Sequence, residues 1–299
     1  MGNAQRFHRH QLELHRSDAI YVPSDIISGS IANITNEDLS IVVVGTVRFK
    51  KHKKKQIEHC EIDFFSSGIP LIPSPSQIFQ IHLTEHLPPS FNQSNTFPQI
   101  SYSLNLVDRA SKPRIYSTLP LHIQPRTQIH HPSLLTPLVF GPVANDDYQT
   151  KLQIKINRSA YQFGDVVCLF YELQNPAGVS IHKIDVSLGI YYLVESNIYQ
   201  EDITNTTECF NEILSTQKLF RHKAILHIPE DVYLPPTFKY KHDQGDERAQ
   251  FHLTIEYKVQ FKVYLGNSDD LWQVDIPVAL CHEILEQAKT ELCQMSQEI

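Results

Sequence analysis

The stretch Phe251-His-Leu-Thr-Ile-Glu-Tyr-Lys-Val-Gln-Phe-Lys-Val263 decides the fold class, because apolar and polar residues alternate along it. Successive side chains of a β-strand point to opposite faces, so this alternation predicts a strand with one buried and one solvated face. Shorter alternating runs occur at Gln11–His15 and Leu152–Ile156. Several such segments separated by turn residues indicate a β-sandwich.

The composition supports this fold class and narrows the function. Hydrophobic residues make up 41% of the 299-residue chain, which is enough to build folded cores. The net charge of −7 argues against a dedicated nucleic-acid-binding protein, which usually carries a basic field. The sequence has only 10 glycines and contains neither glycine-rich phosphate-binding motif. We therefore expect neither a nucleotide-binding fold nor a nucleic-acid partner.

Several features predict a cytoplasmic protein. The N-terminus lacks the apolar core of a secretory signal, and the apolar run Ile41–Val47 is too short to span a bilayer. The five cysteines are odd in number and form no C-x-x-C pair, which is typical of a reduced compartment. Gly2 lies in a poor myristoylation pattern, because Arg6 occupies the position that requires Ser or Thr.

One sequence plan occurs twice along the chain. Four segments of the first half have counterparts in the second half, in the same order, which indicates two homologous domains. The paired segments are Tyr21–Ile27 with Tyr161–Val167, Ser40–Val47 with His182–Ile190, Leu87–Phe91 with Leu234–Phe238, and Ile100–Leu106 with Ile255–Phe261.

The repeats predict four regions. Between the two copies, five spaced prolines lie from Pro120 to Tyr148 and favour an extended connector. The predicted regions are a first β-sandwich at 1–124, a proline-rich connector at 125–148, a second β-sandwich at 149–280 and a helical tail at 281–299.

The tail is predicted to be helical because four apolar residues recur at helical spacing. Ile284, Ala288, Leu292 and Met295 are separated by four, four and three residues, which places them on one face of a helix. That face either packs on the protein itself or binds a partner.

The strongest charge feature is Arg48-Phe-Lys-Lys-His-Lys-Lys-Lys55, which directly follows the apolar run Ile41–Val47. It is predicted to occupy a strand end and a loop. A solvated loop, an anionic membrane surface, an acidic or phosphorylated partner and a nuclear-import signal are all open interpretations. The candidate binding residues are Arg48, Lys50, Lys51, Lys53, Lys54 and Lys55.

Motifs for catalysis are absent from the sequence, which contains neither G-x-S-x-G nor H-E-x-x-H. A metal-dependent enzyme or hydrolase would rest on His8, His10 and His15 alone. This run lacks a cysteine or carboxylate at close ligand spacing. We expect no catalytic residue, metal or cofactor.

The ordered motifs resemble the arrestin superfamily, particularly the α-arrestins, over residues 7–280. The segment Tyr21–Gly29 looks like the first-sheet signature of the family, with Ser24 in place of the usual glycine. The segment Ile156–Val167 resembles the opening of the arrestin C-domain, and Trp272–Val278 resembles its last strand.

The resemblance implies two tandem immunoglobulin-like, arrestin-like β-sandwich domains and a non-enzymatic adaptor. Family members bind cytoplasmic tails of membrane proteins and recruit ubiquitin ligases or coat machinery, which implies a role in endocytosis and protein transport at the plasma membrane or endosomes. Many α-arrestins recruit ligases through Pro-Pro-x-Tyr motifs, and this sequence contains none. A subunit of a stable coat complex, as in retromer, is therefore the alternative.

Overall fold

The computed structural model describes residues 11–34, 38–53, 56–91, 98–109, 114–129, 131–147, 149–209, 217–230, 232–242, 251–265 and 270–284. Apart from one 3₁₀ helix at Pro132–Leu135, the regular structure of these residues is entirely β, which confirms the predicted fold class. None of them forms a helix long and apolar enough to cross a bilayer.

The strands of the first half are β1 (Gln11–Leu14), β2 (Ile20–Tyr21), β3 (Ile26–Ile34), β4 (Leu39–Lys53), β5 (Gln56–Pro70), β6 (Ser74–His82), β7 (Gln99–Asp108), β8 (Arg114–Ile123), β9 (Gln128–Ile129) and β10 (Leu138–Asn145). The strands of the second half are β11 (Thr150–Ile156), β12 (Ala160–Gln162), β13 (Val166–Gln174), β14 (Ile181–Val194), β15 (Asn197–Cys209), β16 (Leu219–His227), β17 (Phe238–His242), β18 (Phe251–Leu265), β19 (Asp270–Cys281) and β20 (Glu283–Ile284).

The chain forms two compact units. The first comprises Met1–Pro125 with two later segments, Leu193–Asn197 and Lys239–Leu253. Its strands form a three-stranded sheet in the order β1-β3-β6 and a five-stranded sheet in the order β2-β8-β7-β4-β5. Alternating residues of these strands point inward and form the core of the unit. Ile27 and Ile41, for example, have no exposed surface.

An aromatic cluster in the first unit includes residues from distant parts of the sequence. The Phe64 ring stacks on Phe251 with centroids 5.2 Å apart, and it meets the edges of Tyr102 and Tyr240 at 5.6 and 5.8 Å. Such offset and edge-to-face arrangements are the favourable geometries for aromatic pairs. The later segment Lys239–Leu253 thus supplies two rings of this aromatic cluster.

The second unit comprises Arg126–Tyr192, Ile198–Phe238 and Thr254–Ile299. Its main sheets have the orders β10-β11-β13-β16 and β12-β19-β18-β14-β15, with β17 paired to β18. The predicted alternating stretch lies in β18, where its apolar side chains are buried. Within the predicted connector, β9, the 3₁₀ helix and β10 belong to this unit.

The two units repeat one topology. Strands β1, β3 and β6 correspond to β11, β13 and β16, and the order β2-β8-β7-β4-β5 corresponds to β12-β19-β18-β14-β15. In each unit the short strand β2 or β12 pairs in parallel with the last long strand. The repeated sequence segments therefore occupy equivalent places, and β10 is an addition to the second unit.

The repeated Pro-Pro segments are held by the same hydrogen bond in both units. The Tyr102 hydroxyl donates to the Pro88 carbonyl at 2.8 Å, and the Tyr257 hydroxyl donates to the Pro235 carbonyl. Both tyrosine side chains are buried. Because a buried hydroxyl and a buried carbonyl each need a partner, this bond satisfies both groups.

The residue after each Pro-Pro pair ties its loop to the last strand. Ser90 exchanges two hydrogen bonds with the Ile123 backbone, one through its amide and one through its hydroxyl, both at 2.8 Å. Thr237 makes the same pair of bonds with Leu280, both at 2.9 Å. The equivalent bonds define Ile123 and Leu280 as matching positions.

At one matching pair of core positions, the two units place the large and the small side chain on opposite strands. In the first unit Gly29 pairs with Phe79 across β3 and β6. In the second unit Leu169 pairs with Ala224 across β13 and β16. The large side chain lies on the outer strand β6 in the first unit and on the central strand β13 in the second. One large and one small residue therefore fill the equivalent part of each core.

The predicted helix is wrong at its beginning. Glu283 and Ile284 form strand β20, which pairs in parallel with β9. Ile284 is buried in an apolar cluster with Ile129 and Cys281, so tertiary packing overrides the helical spacing of the tail. The other residues of the predicted stripe, Ala288, Leu292 and Met295, lie outside the described residues.

Candidate binding surfaces

The predicted basic segment lies on the β4–β5 hairpin, here called the basic hairpin (residues 48–61). Arg48 and Lys50 follow the alternation of β4 and lie on its outward face, whereas Phe49 between them is buried. Lys51 is exposed. Lys53 is the last residue of β4, and Lys54 and Lys55 lie outside the described residues.

Acidic residues of β5 face part of this charge. Arg48 forms an ion pair with Glu61, with Nε–Oε2 and Nη2–Oε1 distances of 3.0 and 3.3 Å. The strand register also places Glu58 directly opposite Lys51. Exposed ion pairs contribute about 0 to 1 kcal/mol, so the effect is to lower the net charge of the hairpin more than to stabilise it.

A second surface lies on the outer side of the four-stranded sheet of the second unit. Antiparallel pairing aligns Val139, Lys155, Phe170 and Lys223 in one row across β10, β11, β13 and β16. A depression of about 650 Å³ lies over this row. We call it the Phe170 face; its lining residues are Val139, Gln153, Lys155, Phe170, Tyr171, Glu172, Arg221, His222 and Lys223.

Polar contacts fix one side of the Phe170 face. The Glu172 carboxylate accepts hydrogen bonds from Arg221 Nε at 2.7 Å and from Gln174 Nε2 at 2.9 Å. Both bonds favour the ionised form, and they lower the pKa of Glu172. The carboxylate is therefore occupied, while Lys223 lies with its ammonium 5.6 Å from the centroid of the Phe170 ring.

His222, at the edge of the Phe170 face, belongs to a separate polar cluster. The Tyr171 hydroxyl donates to Glu208 Oε2 at 2.6 Å, and His222 Nδ1 lies 3.2 Å from Glu208 Oε1. Burial and the bond to Glu208 raise the pKa of Tyr171. This tyrosine remains a hydrogen-bond donor, so the cluster positions Glu208 and His222.

The described part of the chain supports neither a metal site nor a reactive cysteine among the predicted candidates. It contains no group of three or more His, Cys, Asp or Glu residues arranged to hold a metal ion. His15 follows β1, and His8 and His10 lie outside the described residues. Burial raises the pKa of the Cys281 thiol to about 11, so this thiol is protonated at neutral pH and is a poor nucleophile.

The sequence indicates the basic segment as a candidate binding surface but not the residues of the Phe170 face. Lys155, Phe170 and Lys223 are far apart in sequence, and only the pairing of β11, β13 and β16 aligns them. One local signal was available. The apolar residues Val167, Leu169 and Tyr171 point inward, which leaves Phe170 on the solvent side of its strand.

Comparison with known proteins finds a similarity over the second half of the chain. No curated protein matches the chain. The family model described as the C-terminal domain of arrestin (or S-antigen) matches residues 147–284, slightly less than half of the chain. Members of this family are generally scaffold or adaptor proteins without enzymatic activity. The match shows that residues 147–284 are similar to the arrestin C-terminal domain.

Proposed function

We propose that the chain is a non-enzymatic adaptor of the α-arrestin type. It binds cytoplasmic segments of membrane proteins and links them to endocytic or ubiquitin-dependent trafficking machinery. The observation that carries this proposal is the arrestin C-terminal domain match over residues 147–284. The repeated topology of the two units supports it, because an adaptor needs rigid surfaces on which partners meet.

The basic hairpin supports a site of action at a membrane on the cytoplasmic side. Lys51 is exposed, and Lys53 to Lys55 follow it in the sequence. Each lysine close to an anionic leaflet contributes about 1 kcal/mol of attraction. The hairpin is thus suited to hold the adaptor near plasma-membrane or endosomal lipids while other surfaces bind protein segments.

The test is affinity purification of the tagged full-length protein from its own cells, followed by mass spectrometry. We expect membrane proteins together with ubiquitin or coat machinery. The variant with Lys50, Lys51, Lys53, Lys54 and Lys55 changed to Glu should lose them, and the matched variant with the same positions changed to Arg should keep them. Recovery of no membrane protein or trafficking factor by the wild type would contradict the proposal.

A subunit of a stable coat complex is the second candidate. Two apolar side chains of the first unit, Ile72 and Ile78, are 71% and 67% exposed, as interface residues of a separated subunit are. Size-exclusion chromatography of a native lysate separates the candidates. A single complex of high mass, unchanged in the Lys-to-Glu variant, would favour the subunit over the adaptor.

A further inference from the structure

The repeat gives each position of the Phe170 face a counterpart in the first unit. The carboxylates of Asp25 and Asp165 accept matching turn bonds, from the amides of Val22 at 3.0 Å and Gln162 at 2.6 Å. Strand β3 begins directly after Asp25, and β13 begins directly after Asp165. Counting along both strands makes Phe170 the counterpart of Ser30.

The flanking positions can be matched in the same way. Ser30 pairs with Glu13 on β1 and with Ile78 on β6. Phe170 pairs with Lys155 on β11 and with Lys223 on β16. One row thus reads Glu-Ser-Ile and the other Lys-Phe-Lys in identical strand pairing. Because the first unit builds this sheet without the aromatic ring and the two cations, the fold does not require them.

The Lys-Phe-Lys row contains a cation–π contact between the Lys223 ammonium and the Phe170 ring, 5.6 Å from its centroid. The Phe170 side chain is 53% exposed on the outer side of the sheet. Within the described part of the chain, Lys155 and Lys223 form no ion pair. The row therefore presents to solvent an aromatic ring flanked by two cations that form no ion pair with the described residues.

The charge of the depression is opposite to that of the whole protein. Its lining contains the basic residues Lys155, Arg221 and Lys223 and one acidic residue, Glu172, which already bonds Arg221. The net charge of the chain is −7. A local excess of positive charge on an acidic protein selects negative partners and accelerates their association.

We propose that the Phe170 face binds an extended acidic peptide segment of a partner protein, anchored by one aromatic or large aliphatic side chain. The anchor packs against Phe170 and Val139 in the depression, and Asp or Glu residues on either side pair with Lys155 and Lys223. A recessed site favours a peptide over a flat membrane surface, because only a protruding side chain fills the depression. This inference rests on the proposed function in one respect, namely that the protein has a protein partner.

The proposal is tested by selecting short random peptides displayed on phage against the full-length protein. The comparison protein is the triple variant Lys155→Glu, Phe170→Ser and Lys223→Ile, which copies the row of the first unit. We expect the wild type, and not the variant, to enrich peptides with several Asp or Glu residues and one aromatic or large aliphatic residue. Enrichment of neutral or basic peptides, equal enrichment on both proteins, or no enrichment would overturn the proposal.

The enriched peptide is then labelled with fluorescein and titrated by fluorescence polarisation. We expect binding to weaken about tenfold or more in the triple variant and in Phe170→Ala, and to weaken with added salt. Phe170 is exposed, so Phe170→Ala keeps the fold, which a thermal unfolding curve checks. The matched control Lys50→Glu with Lys51→Glu removes two lysines from the basic hairpin and should leave the affinity within about twofold. Loss of binding in this control instead of the triple variant would overturn the proposal.

Two further results separate this inference from the proposed function. Vesicles of phosphatidylcholine and phosphatidylserine should bind the triple variant as well as the wild type, and a loss of vesicle binding without loss of peptide binding would make the face a lipid site. Trafficking partners recovered equally by the wild type and the triple variant, with no peptide selected, would leave the adaptor standing and refute the peptide site. Peptide selection without any trafficking partner would refute the adaptor alone.

Discussion

The Pro-Pro segments are alike in the two repeats, whereas the outer faces of the equivalent sheets differ. Tyr102 and Tyr257 make the same hydrogen bond to a proline carbonyl within the repeated segments Leu87–Phe91 and Leu234–Phe238. Ser30 and Phe170, by contrast, occupy matching positions with different chemistry. The hydrogen bonds that hold the Pro-Pro segments are repeated, whereas the outer-face residues differ between the two units.

The first prediction breaks the exchange of large and small core residues, where we expect the largest effect. Leu169→Ala should lower the free energy of unfolding by about 2 to 5 kcal/mol, because its neighbour Ala224 cannot fill the cavity. Gly29→Ala should lower it by about 1 to 3 kcal/mol, because the new Cβ would lie 2.2 Å from the Glu13 carbonyl oxygen and 2.5 Å from the Phe79 ring. Denaturant unfolding measures both.

The matched control for this pair is Gly189→Ala. A Cβ at Gly189 meets its nearest atoms at 3.4 Å, which is ordinary contact, so the change should stay within about 0.5 kcal/mol of the wild type. A Gly29→Ala protein as stable as Gly189→Ala would show that the two cores are not packed as described.

The second prediction tests whether the hydrogen bond to the Pro-Pro segment stabilises both units equally. Tyr102→Phe and Tyr257→Phe should each lower the free energy of unfolding by about 1 to 3 kcal/mol, because each leaves a buried proline carbonyl without its donor. Hydrogen exchange should locate the loss in the unit that carries the change. Tyr116→Phe is the control, since Tyr116 is 43% exposed and its hydroxyl bonds Asp108 at the longer distance of 3.3 Å. An equal loss there would disprove the role of the buried bonds.

The third prediction compares the two ion pairs that flank the matching turns. Arg16–Asp25 and Arg158–Asp165 both have N–O distances of 2.8 Å, but the Arg16 side chain is 45% exposed and Arg158 only 25%. Asp165→Asn should therefore cost about 1 kcal/mol and Asp25→Asn less, because solvent screens the more exposed pair. Thermal unfolding at low and high salt measures the difference, and a larger loss in Asp25→Asn would reverse the interpretation.

The fourth prediction concerns a pH effect confined to the second unit. Burial and the nearby charge of Arg126 lower the pKa of His282, which packs edge-on against Phe163. The unfolded state therefore binds a proton more readily, so the free energy of unfolding should fall as pH drops below about 6.5. Matching Leu280 to Ile123 places Pro125 at the equivalent position of the first unit, where nothing titrates.

Unfolding measured from pH 8 to pH 5 tests this effect, with His282→Gln expected to flatten the decline. His227→Gln removes an exposed histidine of β16 and should leave the decline unchanged. A decline that persists in His282→Gln would assign the pH dependence to other groups.

Much of the fold follows from the sequence because its signals are local. The alternation over Phe251–Val263 specifies a strand, and the order of the repeated segments specifies a repeated topology. The spacing of Ile284 within the tail was a misleading local signal, because pairing of β20 with β9 decides its conformation. The Phe170 face depends on pairing between distant strands, which no local pattern encodes, although the replacement of Ser30 by Phe170 between the repeats was visible.

The aromatic cluster around Phe64 determines which fragments of the protein keep an intact first unit. A gene fragment that ends at Pro125, where the first repeat ends, lacks Tyr240 and Phe251 and leaves one side of the Phe64 ring uncovered. Such a fragment is expected to express poorly or aggregate, because it exposes a face that the intact chain buries. A fragment that begins at Met1 retains the whole cluster only if it extends to Phe251 or beyond, so recombinant work on the first unit must keep most of the second.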